Sequence, residues 1–406
     1  MKVLLVSQHF ELRGGSDVMV HHTRSMLEKA GHEVHLFAAQ IEEQADDGIH
    51  PSGAHFEKPG AGGLHKFFFN RDARRRLDAL LDRERFDVAH LHIHYGTLTS
   101  SIIEPLRRRR IPTVQHLHEY RSFCTISIAR RDGETCTSCT VGNYLPGIVH
   151  RCNRGSLIRS AITCAEMYVA DSLGAKSWPQ RFLAVSNFQR DMLVRQGMPA
   201  DRMFTLHNPV DDIFFTVPDT SVPLGVLFFG RLEDYKGVFD VVSLARRLPE
   251  VPFNLAGDGS QFERLRKIAD EESLPNLKIL GSQNRDQILR LLEESMLAIV
   301  PSRWHETFGL TAVEAMASGT PVLVTDMGGL PEVIADGHTG KKVVVGDIAG
   351  MERFIRDLQN DPSNALTMGA RGRERARTNF SQIAYLPNLL GHYAGAIEAM
   401  NAVRGR

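Results

Sequence analysis

The chain has 406 residues, a formal net charge of +0, 42% hydrophobic and 24% charged residues. These are ordinary globular values, and the length is too great for one compact core and right for two domains. No apolar run is long enough to cross a bilayer, and five cysteines without a framework spacing argue against a small disulfide-stapled secreted protein. The opening MKVLLVSQHF lacks the apolar core and cleavage site of a signal peptide, so it reads as a first strand and the expectation is a cytoplasmic protein.

Strand-like runs alternate with helical ones, which predicts an α/β protein with parallel sheets and crossover helices. In the first half, strands are expected at Val3–Val6, Glu33–Ala38, Asp87–His92, Thr113–His116, Arg181–Val185 and Met203–Leu206. The first ends before Gly14-Gly15-Ser16 and a helix from about Asp17. Two glycines before a helix N-terminus make either a site for an anion or sugar hydroxyl, or a plain tight turn. They are not a Gly-x-Gly-x-x-Gly fingerprint, which disfavours a NAD enzyme. The runs DVAHLHIH (87–94) and TVQHLHEY (113–120) put several histidines at strand ends, where open α/β sheets bind ligands. Packing or hydrogen bonding is the ordinary role of such residues. Three of them raise zinc, but no matching third-ligand spacing recurs.

Cys124, Cys136, Cys139 and Cys152 follow as Cys-x11-Cys-x2-Cys-x12-Cys. That spacing fits a structural zinc site made of four cysteines, while four ordinary thiols, a disulfide or a redox pair at Cys136/Cys139 stay open. Cys164 falls in a helical stretch and reads as core. From Lys58 to Arg202 basic residues outnumber acidic ones, most densely at Arg74–Arg76 and Arg107–Arg110. They are either solvated helix faces or a positive face for anionic lipid or a phosphorylated acceptor. No nucleic-acid motif accompanies them.

Val210–Pro223 reads as a linker between domains at 1–212 and 224–382. The second set of strands is expected at Gly225–Phe229, Phe253–Ala256, Leu277–Leu280, Leu297–Val300, Pro321–Val324 and Lys342–Val345. After the first of these stand Arg231 and Lys236, a forked cation and a point charge suited to a diphosphate. The chain has no Asp-x-Asp pair to carry Mg2+, so cations and a helix N-terminus would stabilise a leaving diphosphate without metal. AGDGSQ (256–261), with Gly259, and the turn at Gly281-Ser282 line the same strand ends.

The most informative stretch is ETFGLTAVEAMASGTPVLVTD, 306–326. Glu306 and Thr307 lie in a loop, a helix is expected at Leu310–Ala317, and Ser318-Gly319 stops it. Free amides at Gly309, Leu310 and Thr311 suit a phosphate, and Gly309 permits close approach. Glu314 lies about 7–8 Å further along the axis at 1.5 Å per residue, roughly the reach from a diphosphate to its ribose.

This stretch resembles the Glu-x7-Glu donor motif of family 4 retaining glycosyltransferases, which have the two-Rossmann-domain GT-B fold with parallel sheets facing across a cleft. The resemblance implies that Glu314 holds ribose hydroxyls, Glu306 contacts the transferred sugar, and Phe308, Gly309, Leu310 and Thr311 cradle phosphate. Arg231 and Lys236 match the family's diphosphate pair. Gly14, Gly15 and Ser16 match its N-terminal Gly-Gly loop, and Gly259 and Ser282 match turns near the donor. His118 aligns with the family histidine that contacts the sugar, although Glu119 stands where the family has Asp or Asn. A similar cysteine-bearing insert occurs in a subset of these enzymes, and in the family the last helix, about 383–406 here, crosses back to the first domain.

The resemblance therefore implies a retaining, metal-independent hexosyltransferase with front-face departure and attack. It would use a UDP- or GDP-sugar donor and a glycan or lipid-linked acceptor held by the first domain. Cell-surface polysaccharide or glycolipid synthesis, with peripheral contact at the inner membrane face, is the expected setting. An epimerase or phosphorylase of the same fold, which would turn over donor alone or sugar and phosphate, is the first alternative. A non-catalytic nucleotide-sugar-binding protein is the second.

Overall fold

A computed structural model describes residues 1–8, 15–38, 63–218 and 224–404. The chain divides into two compact units, one of residues 1–131, 136–206 and 386–406, the other of residues 132–135 and 207–385.

In the first unit the strands are β1 (Lys2–Ser7), β2 (Glu33–Ala38), β3 (Val88–Leu91) and β4 (Thr113–Leu117). β5 (Arg130–Arg131), β7 (Arg181–Ala184) and β8 (Met203–Thr205) follow, while β6 (Glu134–Thr135) falls in the second unit. The sheet order is β2-β1-β3-β4-β7-β8, with every pairing parallel. Val3 to Val6 are all fully buried, which is why these strands read as continuous apolar runs: helices cover both faces of a parallel sheet. Leu77, Leu80, Leu98 and Leu106 from the crossovers complete that core. The last helix is Gln382–Arg404, and from Leu386 it belongs to this unit.

The second unit holds β9 (Gly225–Phe229), β10 (Phe253–Ala256), β11 (Leu277–Gly281), β12 (Ser295–Val300), β13 (Val322–Thr325) and β14 (Gly340–Val343) in the order β11-β10-β9-β12-β13-β14. All pairings are again parallel. Strand order reverses beside β1 in one sheet and beside β9 in the other. In open α/β sheets ligands bind at such points, outside the carboxyl ends of the strands.

Two expectations shift. The last strand starts at Gly340, not Lys342, because Gly340 pairs with Val322 in the ladder. A Cβ on Gly340 would lie 2.2 Å from the Val322 carbonyl, so the residue that looks like a breaker is the one that fits. The described part of the expected linker is ordered on the second unit. Asp212–Thr216 forms a 3-10 turn, the Val210 amide donates to the Phe380 carbonyl at 2.7 Å, and Arg285 reaches Asp211 at 2.7 Å.

Candidate active site

The second unit gathers most of the expected donor residues at the carboxyl ends of β9, β10 and β12. β9 runs out into Gly230 at φ +140. Arg231 follows with its side chain 72% exposed and 3.2 Å from Glu233. Glu233 in turn accepts from the Ser260 hydroxyl at 2.6 Å, which ties the Arg231 loop to the turn holding Gly259. That turn requires glycine, since a Cβ there would stand 2.4 Å from the Leu232 carbonyl oxygen. Ser282 follows the end of β11.

β12 leads through Ser302 and Trp304 to Glu306, whose side chain is 8% exposed. Lys236 donates to its Oε1 at 2.6 Å, and the buried Ser302 hydroxyl donates to the same oxygen at 2.6 Å. The Lys236 ammonium also lies 5.1 Å from the Trp304 ring. Burial pushes the Glu306 carboxyl up. The Lys236 charge, with hydrogen bonds from Lys236, Ser302 and Trp304, outweighs it and holds the group below its ordinary range. Glu306 is therefore a fixed carboxylate, and Lys236 has one anion already beside it.

The helix Leu310–Ala317 starts as the sequence predicts. Its N-cap is Gly309 at φ +107, with no capping side chain, so the first-turn amides face outward with the positive end of the helix dipole. Thr311 Cγ2 lies 3.9 Å from where a Gly230 Cβ would be, which brings the β9 loop to this helix start. Phe308 is buried and stacks on His207 at 5.6 Å. Glu314 is half-buried. Burial pushes its carboxyl up to about 8, with Arg285 pulling it down and Asp211 pushing it up. The unit thus presents cations, free amides and two carboxyl groups of opposite character.

His118 belongs to the first unit, where its Nε2 meets His92 Nδ1 at 2.9 Å; burial lowers its pKa to about 4. A cavity there is lined by His92, His116, His118, Glu119, Arg121 and Lys176 among others. Its charges are internally matched: Arg121 pairs with Glu166, Lys176 with Asp171, and the Tyr95 hydroxyl donates to Glu119. Gly15 opens the helix Gly15–Lys29, followed by Ser16. Gly14 lies outside the described residues.

None of the five cysteines, the four of the expected zinc site and buried Cys164, is in a disulfide. Cys124 Sγ accepts the Ala129 amide at 3.3 Å. Among the described residues, His90, His92 and His116 bring one ring nitrogen each within 4.8 Å of one another. The sequence reading finds no third-ligand spacing among these histidines, because they come together through strand pairing and not through a shared turn. Sequence reasoning also missed Ser302 and Glu233. Neither falls in a motif, and each is found only through the carboxylate or hydroxyl it touches.

Two family models match the chain: "Glycosyl transferase 4-like domain" over residues 14–209 and "Glycosyl transferases group 1" over residues 217–375. A glycogen synthase of Mycobacterium tuberculosis is 27% identical over 94% of this chain and 91% of its own. A D-inositol 3-phosphate glycosyltransferase of Mycolicibacterium smegmatis is 33% identical over 44% of this chain and 41% of its own. Among solved structures, sucrose-phosphate synthase from Thermosynechococcus elongatus superimposes with a TM-score of 0.74 at 18% identity, covering 98% of this chain and 99% of the other. Anabaena HepE, solved with UDP and glucose, gives 0.71 at 18% identity over 97% and 99%. The chain belongs to the group 1, 4-like family of glycosyltransferases and has their two-domain GT-B fold.

Proposed function

We propose that this protein transfers a hexosyl group, with retention, from a nucleotide diphosphate sugar to a glycan or lipid-linked acceptor. The observation that carries the reading is the arrangement around Glu306 and Gly309. A buried carboxylate is held 2.6 Å from Lys236, next to an uncapped helix start at Gly309. A diphosphate binds at the Gly309–Thr311 amides with Arg231 and Lys236 supplying charge. Lys236 then bridges phosphate and Glu306, and Glu306 orients the sugar. Glu314, kept largely neutral while the site is empty, both donates to and accepts from the ribose hydroxyls. As the glycosidic bond breaks, negative charge grows on the diphosphate, where the amides and cations are already aimed. His118 is proposed as a further sugar contact. UDP is the first donor base to try, because HepE, solved with UDP-glucose, shares the fold.

The test is thermal stabilisation of the full chain by UDP, GDP, ADP and their glucose conjugates, followed by anomeric analysis of the transferred product by NMR. Stabilisation by one base family, weakened in Arg231→Ala, is expected. No shift with any nucleotide in folded protein sinks the donor reading, and an inverted anomer sinks retention.

Membrane contact is proposed at one surface of the first unit. Leu145, Val149, Leu157 and Ile158 are 57%, 73%, 52% and 73% exposed, and the exposed Arg151, Arg154 and Arg159 lie among them. Apolar insertion plus about 1 kcal/mol per basic residue near an anionic surface suits a peripheral lipid contact. Vesicles containing phosphatidylserine should retain the wild type and release Ile158→Glu. Equal binding of both to neutral and anionic vesicles would contradict it.

A further inference from the structure

The buried histidines of β3 and β4 have a chemistry that glycosyl transfer does not use. The two strands pair in parallel with His90 opposite Val114 and Leu91 opposite Gln115. Side chains alternate along a strand, so His90, His92 and His116 fall on one face of the sheet. Their exposures are 0%, 0% and 1%, and one ligating atom from each lies within 4.8 Å of the others.

The hydrogen bonding of these rings is one-sided. His90 Nδ1 meets the Tyr393 hydroxyl at 2.8 Å, and His92 Nδ1 meets His118 Nε2 at 2.9 Å. The Nε2 atoms of both, and both ring nitrogens of His116, have no partner. Buried polar atoms are nearly always satisfied, since each unpaired one costs about 1–3 kcal/mol. An imidazole with Nδ1 engaged by an outer partner and Nε2 free is oriented as a metal ligand is.

We propose that His90, His92 and His116 bind a divalent transition-metal ion of the zinc class. Three imidazoles without a carboxylate in the set suit zinc, cobalt, nickel or copper and not magnesium or calcium. His92 and His116 also line the cavity described above. The rings now lie nearly parallel, at 13° for His90–His116 and 24° for His92–His116. An ion in the plane of all three therefore needs at least one ring to turn as the nitrogens close to about 2.0–2.1 Å from it. The inference stands independently of the diphosphate and ribose contacts of the donor reading, which involve residues of the other unit.

The test uses the full chain stripped with a chelator, reloaded with Zn2+ or Co2+ and desalted. Metal is counted by mass spectrometry on wild type, Cys136→Ser/Cys139→Ser, His116→Asn and Tyr393→Phe. The expected result is one ion per chain that survives loss of the cysteines and disappears in His116→Asn. The cobalt form should show no sulfur-to-cobalt charge-transfer absorption. Tyr393→Phe, which removes the outer partner of His90, should weaken binding about 10-fold or more. Folded wild type that takes up no ion overturns the proposal. So does an ion that leaves with the cysteines and stays in His116→Asn. Should His116→Asn fail to fold, the wild-type cobalt spectrum decides: imidazole-only absorption supports the site and thiolate absorption refutes it.

Discussion

Replacing Lys236 by Met keeps the apolar stem and removes the charge. Glu306 is then left as a buried carboxylate, its side chain 8% exposed, with the Ser302 hydroxyl still donating at 2.6 Å. Removing one partner of a buried pair costs about 3–5 kcal/mol. The Ser302 bond and the partial exposure of Lys236, 23%, put the expected loss at the lower end, about 3 kcal/mol. For a unit of this size that is about 6–12 °C in Tm. The loss depends on pH in a defined direction. In the wild type Glu306 is held below its ordinary range, so its contribution is present above that range and is lost as pH falls through the depressed value. In Lys236→Met the burial that opposes ionisation is no longer outweighed, the carboxyl rises, and stability is lost as pH rises through the ordinary carboxylate range. The gap between the proteins should therefore be small near about pH 4 and full near about pH 7. Urea unfolding at several pH values reads it. Lys236→Met/Glu306→Gln should recover most of the stability and none of the lost nucleotide affinity, since one of the two diphosphate cations is still absent. A gap that does not change with pH, or a double variant no more stable than the single one, would refute the account of the pair.

Arg231→Ala should leave stability within about 0.5 kcal/mol, because the side chain is 72% exposed. The same change should weaken nucleotide diphosphate binding by calorimetry about 10- to 100-fold, the worth of one charged hydrogen bond. Glu314→Gln should stabilise the empty protein increasingly as pH rises from the carboxylate range towards 8, because the raised carboxyl loses stability over that window. It should also weaken nucleotide binding while leaving binding of inorganic diphosphate unchanged. Gly309→Ala would force an L residue to φ +107 with its Cβ 2.4 Å from the buried Leu330 Cδ2. A loss of about 1–3 kcal/mol is expected, read as a lowered denaturant midpoint, together with lost donor binding.

What was legible in the sequence and what was not follows from how far each signal reaches along the chain. Strands such as Val3–Val6 and Val322–Val324 are visible because a sheet covered on both faces leaves an unbroken apolar run, and the helix Leu310–Ala317 because its period and its Gly309 start are local. The residues of the expected donor site were visible for the same reason: Arg231, Lys236 and Glu306 follow strand ends, and Glu314 lies in the helix that Gly309 starts. Their states were not. That Glu306 is a fixed anion depends on Lys236, 70 residues away, and that Glu314 resists ionisation depends on burial and on Arg285 and Asp211. The histidines make the limit clearest. Ligand-spacing rules describe residues that share a turn or a helix face. In a parallel sheet a crossover separates neighbouring strands, so His92 and His118 touch across 26 positions, and the spacing records the length of the crossover and not the chemistry. Only the register of β3 against β4 brings the rings together, and register is a property of the packed sheet. A sequence scan for sites of this kind therefore has to pair the ends of successive strands, position against position, before it asks about spacing.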